Sequence, residues 1–252
     1  MKKIILFITV NFFVFQLHAQ DASMQSSQEA TKEDRNFRIP LIGESAPSFT
    51  AESTNGTINF PVDFGRKWKI LFSHPQDFTP VCSTEILELA SLQEEFDKLG
   101  AKLIVVSTDA LETHEQWKKA MESLAYKDRE AVKIEFPLVD DADLSVSKKY
   151  GMIHAATNST RDVRGVFIIS PDNVIKAIYF YPMSVGRSTD ELLRMVTALE
   201  RTSADNVMTP ANWKAGDDVM VPTIPRADAS KDELANEGIY NLNWFMWYKK
   251  AQ

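Results

Sequence analysis

An α/β fold, with a mixed central sheet flanked by helices, is what this sequence predicts on three observations. Short apolar runs such as Ile70-Leu71-Phe72 and Leu103-Ile104-Val105-Val106 have the β-branched character and length of buried strands. Between them lie stretches with apolar residues at helical spacing, such as Ile86-Leu87-Glu88-Leu89-Ala90-Ser91-Leu92-Gln93-Glu94-Glu95-Phe96. Late in the chain, two apolar runs flank Pro171-Asp172-Asn173, a hairpin signal that adds antiparallel strands to the sheet. Strands alternating with helices, then a hairpin and a closing helix, fit one sheet covered on both faces.

Taken in order, the elements begin well inside the chain. Lys2 and Lys3 are followed by an apolar run from Ile4 to Phe15, and His18-Ala19-Gln20 offers a small residue for cleavage after Ala19. Residues 1–20 therefore read as a secretory signal peptide, which makes the protein exported, periplasmic or secreted. The apolar run falls short of the roughly 18–20 residues that span a bilayer, although an uncleaved anchor is the alternative for the same stretch. No cysteine follows it to accept a lipid. Residues 21–38 are polar and read as a linker, because they cannot bury enough surface to order themselves.

The folded region is expected from Ile39 to Arg201. Thr54-Asn55-Gly56-Thr57 is a turn by its Asn-Gly pair, and Ile58 to Phe60 a short strand. Trp68 to His74 and Ala101 to Ser107 are buried strands, and Leu111 to Tyr126 is an amphipathic helix with Trp117, Met121 and Leu124 on one side. Phe136 to Val139 is a short extended segment. Asp140 to Tyr150 opens with acidic residues, as a helix start prefers. Arg164 to Ser170 and Val174 to Phe180 form the hairpin, and Thr189 to Arg201 carries Leu192, Leu193, Val196 and Leu199 at helical spacing.

Residues 202–252 differ in character. They are loop-rich around one short strand in Gly216 to Pro222, with a helix expected in Asp228 to Glu237. Ile239 to Tyr248 carries two Trp, two Tyr and a Phe, a segment costly to leave in water, so it must pack on its own domain or on another subunit. The net charge of −7 argues against nucleic acid or an anionic membrane surface as partner, since both need clustered Lys and Arg.

The chemistry concentrates between Ser73 and Glu85, which holds Cys82, the only cysteine. An apolar strand feeds into this stretch and a helical pattern leaves it, so Cys82 is expected in the first turn of a helix, with Pro80 suited to its first position. There the free N–H groups and the positive end of the helix dipole favour a thiolate, which is the nucleophilic form. Thr79, three residues earlier, can donate to one oxygen and accept from another, and Pro75 and Pro80 stiffen the loop and shield the thiol.

The pattern Pro75-x-x-x-Thr79-x-x-Cys82 resembles the active-site signature of the peroxiredoxins. The longer run His74-Pro75-x-Asp77-Phe78-Thr79-Pro80-Val81-Cys82-x-Thr84-Glu85 resembles their one-cysteine branch. Gly43-x-x-Ala46-Pro47-x-Phe49 resembles the family's opening segment, and Thr209 to Lys214 with Val221 to Pro225 resembles its C-terminal arm. The resemblance implies a thioredoxin-like fold with a C-terminal dimerisation arm reaching across a two-fold axis, hence a homodimer or a higher oligomer. It implies a thiol peroxidase reducing hydrogen peroxide and organic hydroperoxides through a Cys82 sulfenic acid, with no cofactor and no metal.

Within the resemblance, Arg164 corresponds to the arginine set immediately before the apolar strand, a cation for the developing negative charge. Arg161 competes for that place and reads instead as a surface ion pair. Glu85, on the same helical face as Cys82, is placed to hold an arginine. Arg187 in Tyr181-Pro182-x-x-x-Gly186-Arg187 resembles the second arginine of the family site, with a solvated loop arginine as the alternative. His74 reads as structural, His114 and His154 as ordinary surface residues, and Asp140, Asp141 and Asp143 as a helix start rather than a metal site.

With one cysteine, the sulfenic acid has no second thiol in the sequence to pair with, and an external thiol reductant must resolve it. A disulfide oxidoreductase would need Cys-x-x-Cys. Gly65 to Lys69 lacks the serine that a Gly-x-Ser-x-Gly hydrolase element requires. The alternative of another class is a peroxide sensor or chaperone-like holdase using the same cysteine.

Overall fold

The structure is a computed structural model that describes residues 38–157, 159–225 and 230–251. The expected signal peptide, and the linker apart from Arg38, lie outside the described residues. A five-stranded sheet organises the chain. It is built from β3 (Trp68–Ser73), β4 (Ala101–Ser107), β5 (Leu138–Asp140), β6 (Arg164–Ile169) and β7 (Ile175–Tyr181), in the order β5-β4-β3-β6-β7. β4 runs parallel to β3 and β5, while β6 runs antiparallel to β3 and β7, so the sheet is mixed as predicted. A separate hairpin, β1 (Phe49–Ala51) with β2 (Ile58–Phe60), turns at Asn55-Gly56.

The alternation of side chains along each strand divides the core in two. Ile70 and Phe72 of β3, with Val105 and Val166, face α1 (Pro80–Lys98), α2 (Leu111–Met121) and α4 (Thr189–Asp205). Leu71, Ile104, Val106, Phe167 and Ile169 face the other way, onto Phe49, Phe60, Tyr150 and Met152 and onto Val146 of α3 (Ser145–Lys149). Phe60 stacks on Phe49 at 4.9 Å between ring centres, and Tyr150 meets both edge-on.

Three boundaries differ from expectation. α2 ends at Met121, and Leu124 is exposed because the helix has already given way to a turn there, in which its N–H pairs with Met121 O at 3.0 Å. α3 starts at Ser145, not Asp140. Asp140 ends β5 and accepts the Leu111 N–H at 2.9 Å, while Asp141 reaches forward to the N–H groups of Val146 and Ser147, each at 2.7 Å. α4 runs on to Asp205, where Asn206 takes the left-handed conformation that stops it.

Gly151 leaves α3 with φ +61, and a Cβ there would stand 2.7 Å from Ile39 Cγ1 and 2.9 Å from the Ile39 backbone nitrogen. Gly151→Ala is therefore expected to destabilise the fold by about 1–3 kcal/mol, through φ strain and the backbone clash together. An unchanged urea midpoint would show that the opening segment can move aside at no cost.

The arm after α4 docks through Trp213, which is buried with Ala198, Val207 and Val219. It ends in a three-stranded sheet, β8 (Val219–Met220), β10 (Met246–Lys249) and β9 (Ile239–Asn243), with α5 (Lys231–Asn236) between β8 and β9 in the chain. Tyr240 and Tyr248 stack at 5.4 Å and Tyr240 donates to Asp218 at 2.7 Å. Trp244, at 75% exposure, with Leu242 and Phe245, stands free of the domain. Among the described residues no helix is long and apolar enough to cross a membrane.

Candidate active site

Cys82 is the third residue of α1, whose N-cap is Thr79 and whose first residue is Pro80. β3 delivers the chain to this point, and the His74 N–H pairs with Val106 O at 3.0 Å before the loop 75–79 begins. The thiol is fully buried. The β3–β6 register, Phe72 opposite Val166, sets the start of β6 beside the end of β3. That register carries Arg164 to the sulfur, with Nη1 donating to Cys82 Sγ at 3.3 Å.

Arg164 is held on all sides. Nη1 also donates to Glu85 Oε2 at 2.7 Å, and Nε and Nη2 donate to Met183 O at 2.9 and 2.7 Å. Of the five N–H bonds of a guanidinium, these contacts use four, so the fork chiefly fixes the sulfur's surroundings and keeps one Nη2 hydrogen for an incoming oxygen.

Glu85 joins a second arginine to the first. Arg187 donates from its backbone N and its Nε to Glu85 Oε1 at 2.8 and 2.9 Å, and from Nη2 to Oε2 at 2.8 Å. Its Nη1 donates to Ser73 O at 2.7 Å and Gly165 O at 2.9 Å, and its guanidinium lies 3.3 Å over the Phe72 ring. Arg187 is thus a buried structural cation, not the solvated loop arginine of the alternative reading. Burial pushes Glu85 up, but the Arg187 contacts and then the Arg164 charge outweigh it and hold the carboxyl below its usual range. Burial likewise pushes Arg187 down from the usual arginine value. Two guanidiniums against one carboxylate leave a surplus positive charge beside the sulfur.

The remaining expected residues form the loop. Thr79 is half-buried and donates from Oγ1 to Gln76 O at 2.8 Å, which leaves its oxygen lone pairs to accept. Pro75 is buried against the end of β3. His74 is fully buried and its Nε2 lies 2.8 Å from Asp77 Oδ1. Burial pushes the His74 ring down, against the pull of Asp77, so the ring is neutral at neutral pH.

His114 corrects the sequence reading. It is not a surface residue but fully buried on α2, with Nδ1 2.6 Å from Asp77 Oδ2 and Nε2 3.0 Å from Val139 O. His154 is half-buried, its ring 5.2 Å from that of Phe180. Asp77 stands in the one-cysteine motif without an assigned role, and Asp109 is a site residue that the sequence reading does not single out. Asp109 Oδ2 accepts the Asp77 N–H at 2.8 Å, and Arg161 pairs with Asp109 Oδ1 at 2.7 Å. For His114 the available signal was periodicity, since it stands three residues before Trp117 and seven before Met121 on the buried helix face.

A buried thiol at a helix start, with an arginine on its sulfur and a threonine at the loop, is suited to nucleophilic attack on a small polar electrophile. Comparison with known proteins names the family. The AhpC/TSA family model matches residues 42–178, and the C-terminal domain of 1-Cys peroxiredoxin matches residues 198–236. A peroxiredoxin of Methanosarcina mazei is 46% identical over 215 residues, covering 84% of this chain and 98% of that protein. Peroxiredoxin-6 of Bos taurus is 42% identical over 206 residues, covering 79% and 90%. Among solved structures, the C45S mutant of the peroxiredoxin 6 of Arenicola marina gives a TM-score of 0.73 at 32% identity, covering 84% of this chain and 99% of that one. A yeast mitochondrial 1-Cys peroxiredoxin gives 0.71 at 35% identity, covering 84% and 100%. The chain therefore belongs to the AhpC/TSA family and is a peroxiredoxin, a thiol-dependent peroxidase on a thioredoxin-like fold.

Proposed function

We propose that the Cys82 thiolate attacks the terminal oxygen of hydrogen peroxide or a small organic hydroperoxide. The O–O bond breaks, sulfur gains the oxygen as a sulfenate, and the leaving oxygen takes the peroxide's proton to depart as water or alcohol. The observation that carries this reading is the 3.3 Å contact from Arg164 Nη1 to Cys82 Sγ, in a pocket where Glu85 fixes the arginine. Arg164 stabilises charge on sulfur and oxygen, Thr79 accepts the peroxide hydrogen, and Pro75 and His74 shape the loop. Glu85 and Arg187 keep Arg164 in place. A fully buried sulfur favours a slim O–O terminus over bulkier electrophiles.

An external thiol then condenses with the protonated sulfenic acid, releasing water and forming a mixed disulfide, and a second thiol frees Cys82. The lone cysteine supports this cycle, as does the yeast mitochondrial relative, whose resolving mechanism runs via glutathione/thioredoxin systems. Mass spectrometry of Cys82 after peroxide, with candidate thiols added in turn, tests the cycle. A sulfenic acid that clears with one thiol class supports it. An unmodified cysteine rejects the peroxidase, and one oxidation with no turnover under any thiol favours a sensor or holdase.

The Lys2-Lys3 start and the following apolar run support export. The exposed Leu242, Trp244 and Phe245 on the arm, together with the C-terminal match at 198–236, support a homodimer in which those side chains are covered. Light scattering at micromolar concentration is expected to give twice the monomer mass, and a monomer would overturn the assembly.

A further inference from the structure

The loop 75–79 carries a backbone that its own sequence does not favour. Phe78 has φ +54, a left-handed conformation that costs a bulky residue energy and persists only where neighbours over-determine it. Phe78 cannot supply that hold, because its side chain is 56% exposed. The residue before it can. Asp77 is buried and fastened at three points: Oδ1 to His74 Nε2 at 2.8 Å, Oδ2 to His114 Nδ1 at 2.6 Å, and its backbone N–H to Asp109 at 2.8 Å. The residue after Phe78 is Thr79, so the torsion that Asp77 secures sets where the threonine hydroxyl and Pro80 stand.

The anchor itself is rigid. A carbonyl only accepts, so His114 Nε2 donates its hydrogen to Val139 O, and the other ring nitrogen shares a hydrogen with Asp77. Both ends of the ring are therefore pinned, one on β5 and one on the loop. Trp117, one turn further along α2, lies 5.0 Å from the His74 ring and closes the same cluster. We propose that His114 is a positioning residue for the peroxidase reaction, acting through Asp77 to hold the peroxide-binding loop, although it touches neither Cys82 nor the substrate. This inference rests on the peroxidase reading above.

The test uses the full chain and two rates measured at Cys82: oxidation by hydrogen peroxide, and alkylation by iodoacetamide, which needs the thiolate but not the peroxide-binding loop. His114→Leu is expected to slow oxidation by about tenfold or more, the scale of a lost charge-assisted hydrogen bond, while alkylation holds or rises. His114→Asn sets an amide nitrogen at the place of Nδ1 and is expected to recover most of the loss. Oxidation at the wild-type rate in His114→Leu, an equal fall in both rates, or no recovery in His114→Asn would each overturn the proposal. Should His114→Leu fail to fold, Asp77→Ala, which removes both imidazole contacts, carries the same split between the two rates. A wild-type protein that does not consume peroxide rejects the peroxidase reading instead, so the two failures are told apart.

Discussion

Cys82→Ser is expected to reduce peroxide consumption to the uncatalysed background and to leave the fold intact. Serine is close in volume to cysteine, so the fully buried position stays filled and the unfolding free energy should change by about 1 kcal/mol or less. What is lost is the nucleophile. The hydroxyl is almost wholly un-ionised at neutral pH. Among the described residues the one side chain hydrogen-bonded to this position is Arg164, which can only donate. A donor on this position therefore does nothing to activate an alcohol. Residual turnover above background, or an oxygen added at another residue, would show that the chemistry lies elsewhere than the start of α1.

How much of this was legible beforehand follows from the range of each interaction. β3, β4 and the β6–β7 hairpin were readable because apolar, β-branched runs bounded by turns leave few alternatives. The end of α2 was not. Leu124 continues the helical phase, and only the turn that follows Met121, which its sequence does not announce, takes it out of the core. β9 and β10 were missed for a related reason. Asn241, Asn243 and the exposed Leu242 break any strand pattern, and β10's second partner, β8, lies more than 20 residues away. In the site, Cys82, Thr79 and Pro75 share one local motif, so the resemblance found them together. Arg164 and Arg187 carry a family signature too, but nothing local shows that one carboxylate joins them, since those contacts span 79 and 102 residues. His114 and Asp77 lie 37 residues apart, and only the packing of α2 against β5 and the loop brings them within reach.

Glu85→Gln is expected to be the most damaging substitution that changes almost no volume. The carboxylate accepts four N–H groups, one from Arg164 and three from Arg187. The side chains of both arginines are at most 3% exposed. An amide offers one acceptor oxygen, turns its NH2 toward two guanidiniums, and leaves their charges uncompensated in a water-poor pocket. Breaking a buried ion pair from one side costs roughly 3–5 kcal/mol, a large part of a typical domain's stability. Peroxide reduction should fall with it, because Arg164 Nη1 bridges Glu85 and the sulfur.

The pH dependence separates this electrostatic cause from a packing defect. Glu85 is held below its ordinary value of 4.5 in the folded chain, the arginine contacts outweighing the upward push of burial. A carboxyl lowered on folding contributes its full stabilisation above its unfolded-state pKa and loses it as pH falls through the folded-state one. The stability gap between wild type and Glu85→Gln should therefore be widest near neutrality and should narrow as pH drops below 4.5, because the unfolded wild-type chain then takes up a proton that the folded carboxyl resists until lower pH. Urea midpoints for both proteins at a series of acidic pH values measure that gap. A gap that stays constant down the series would mean that the glutamate contributes shape alone and that the two arginines find their counter-charge elsewhere.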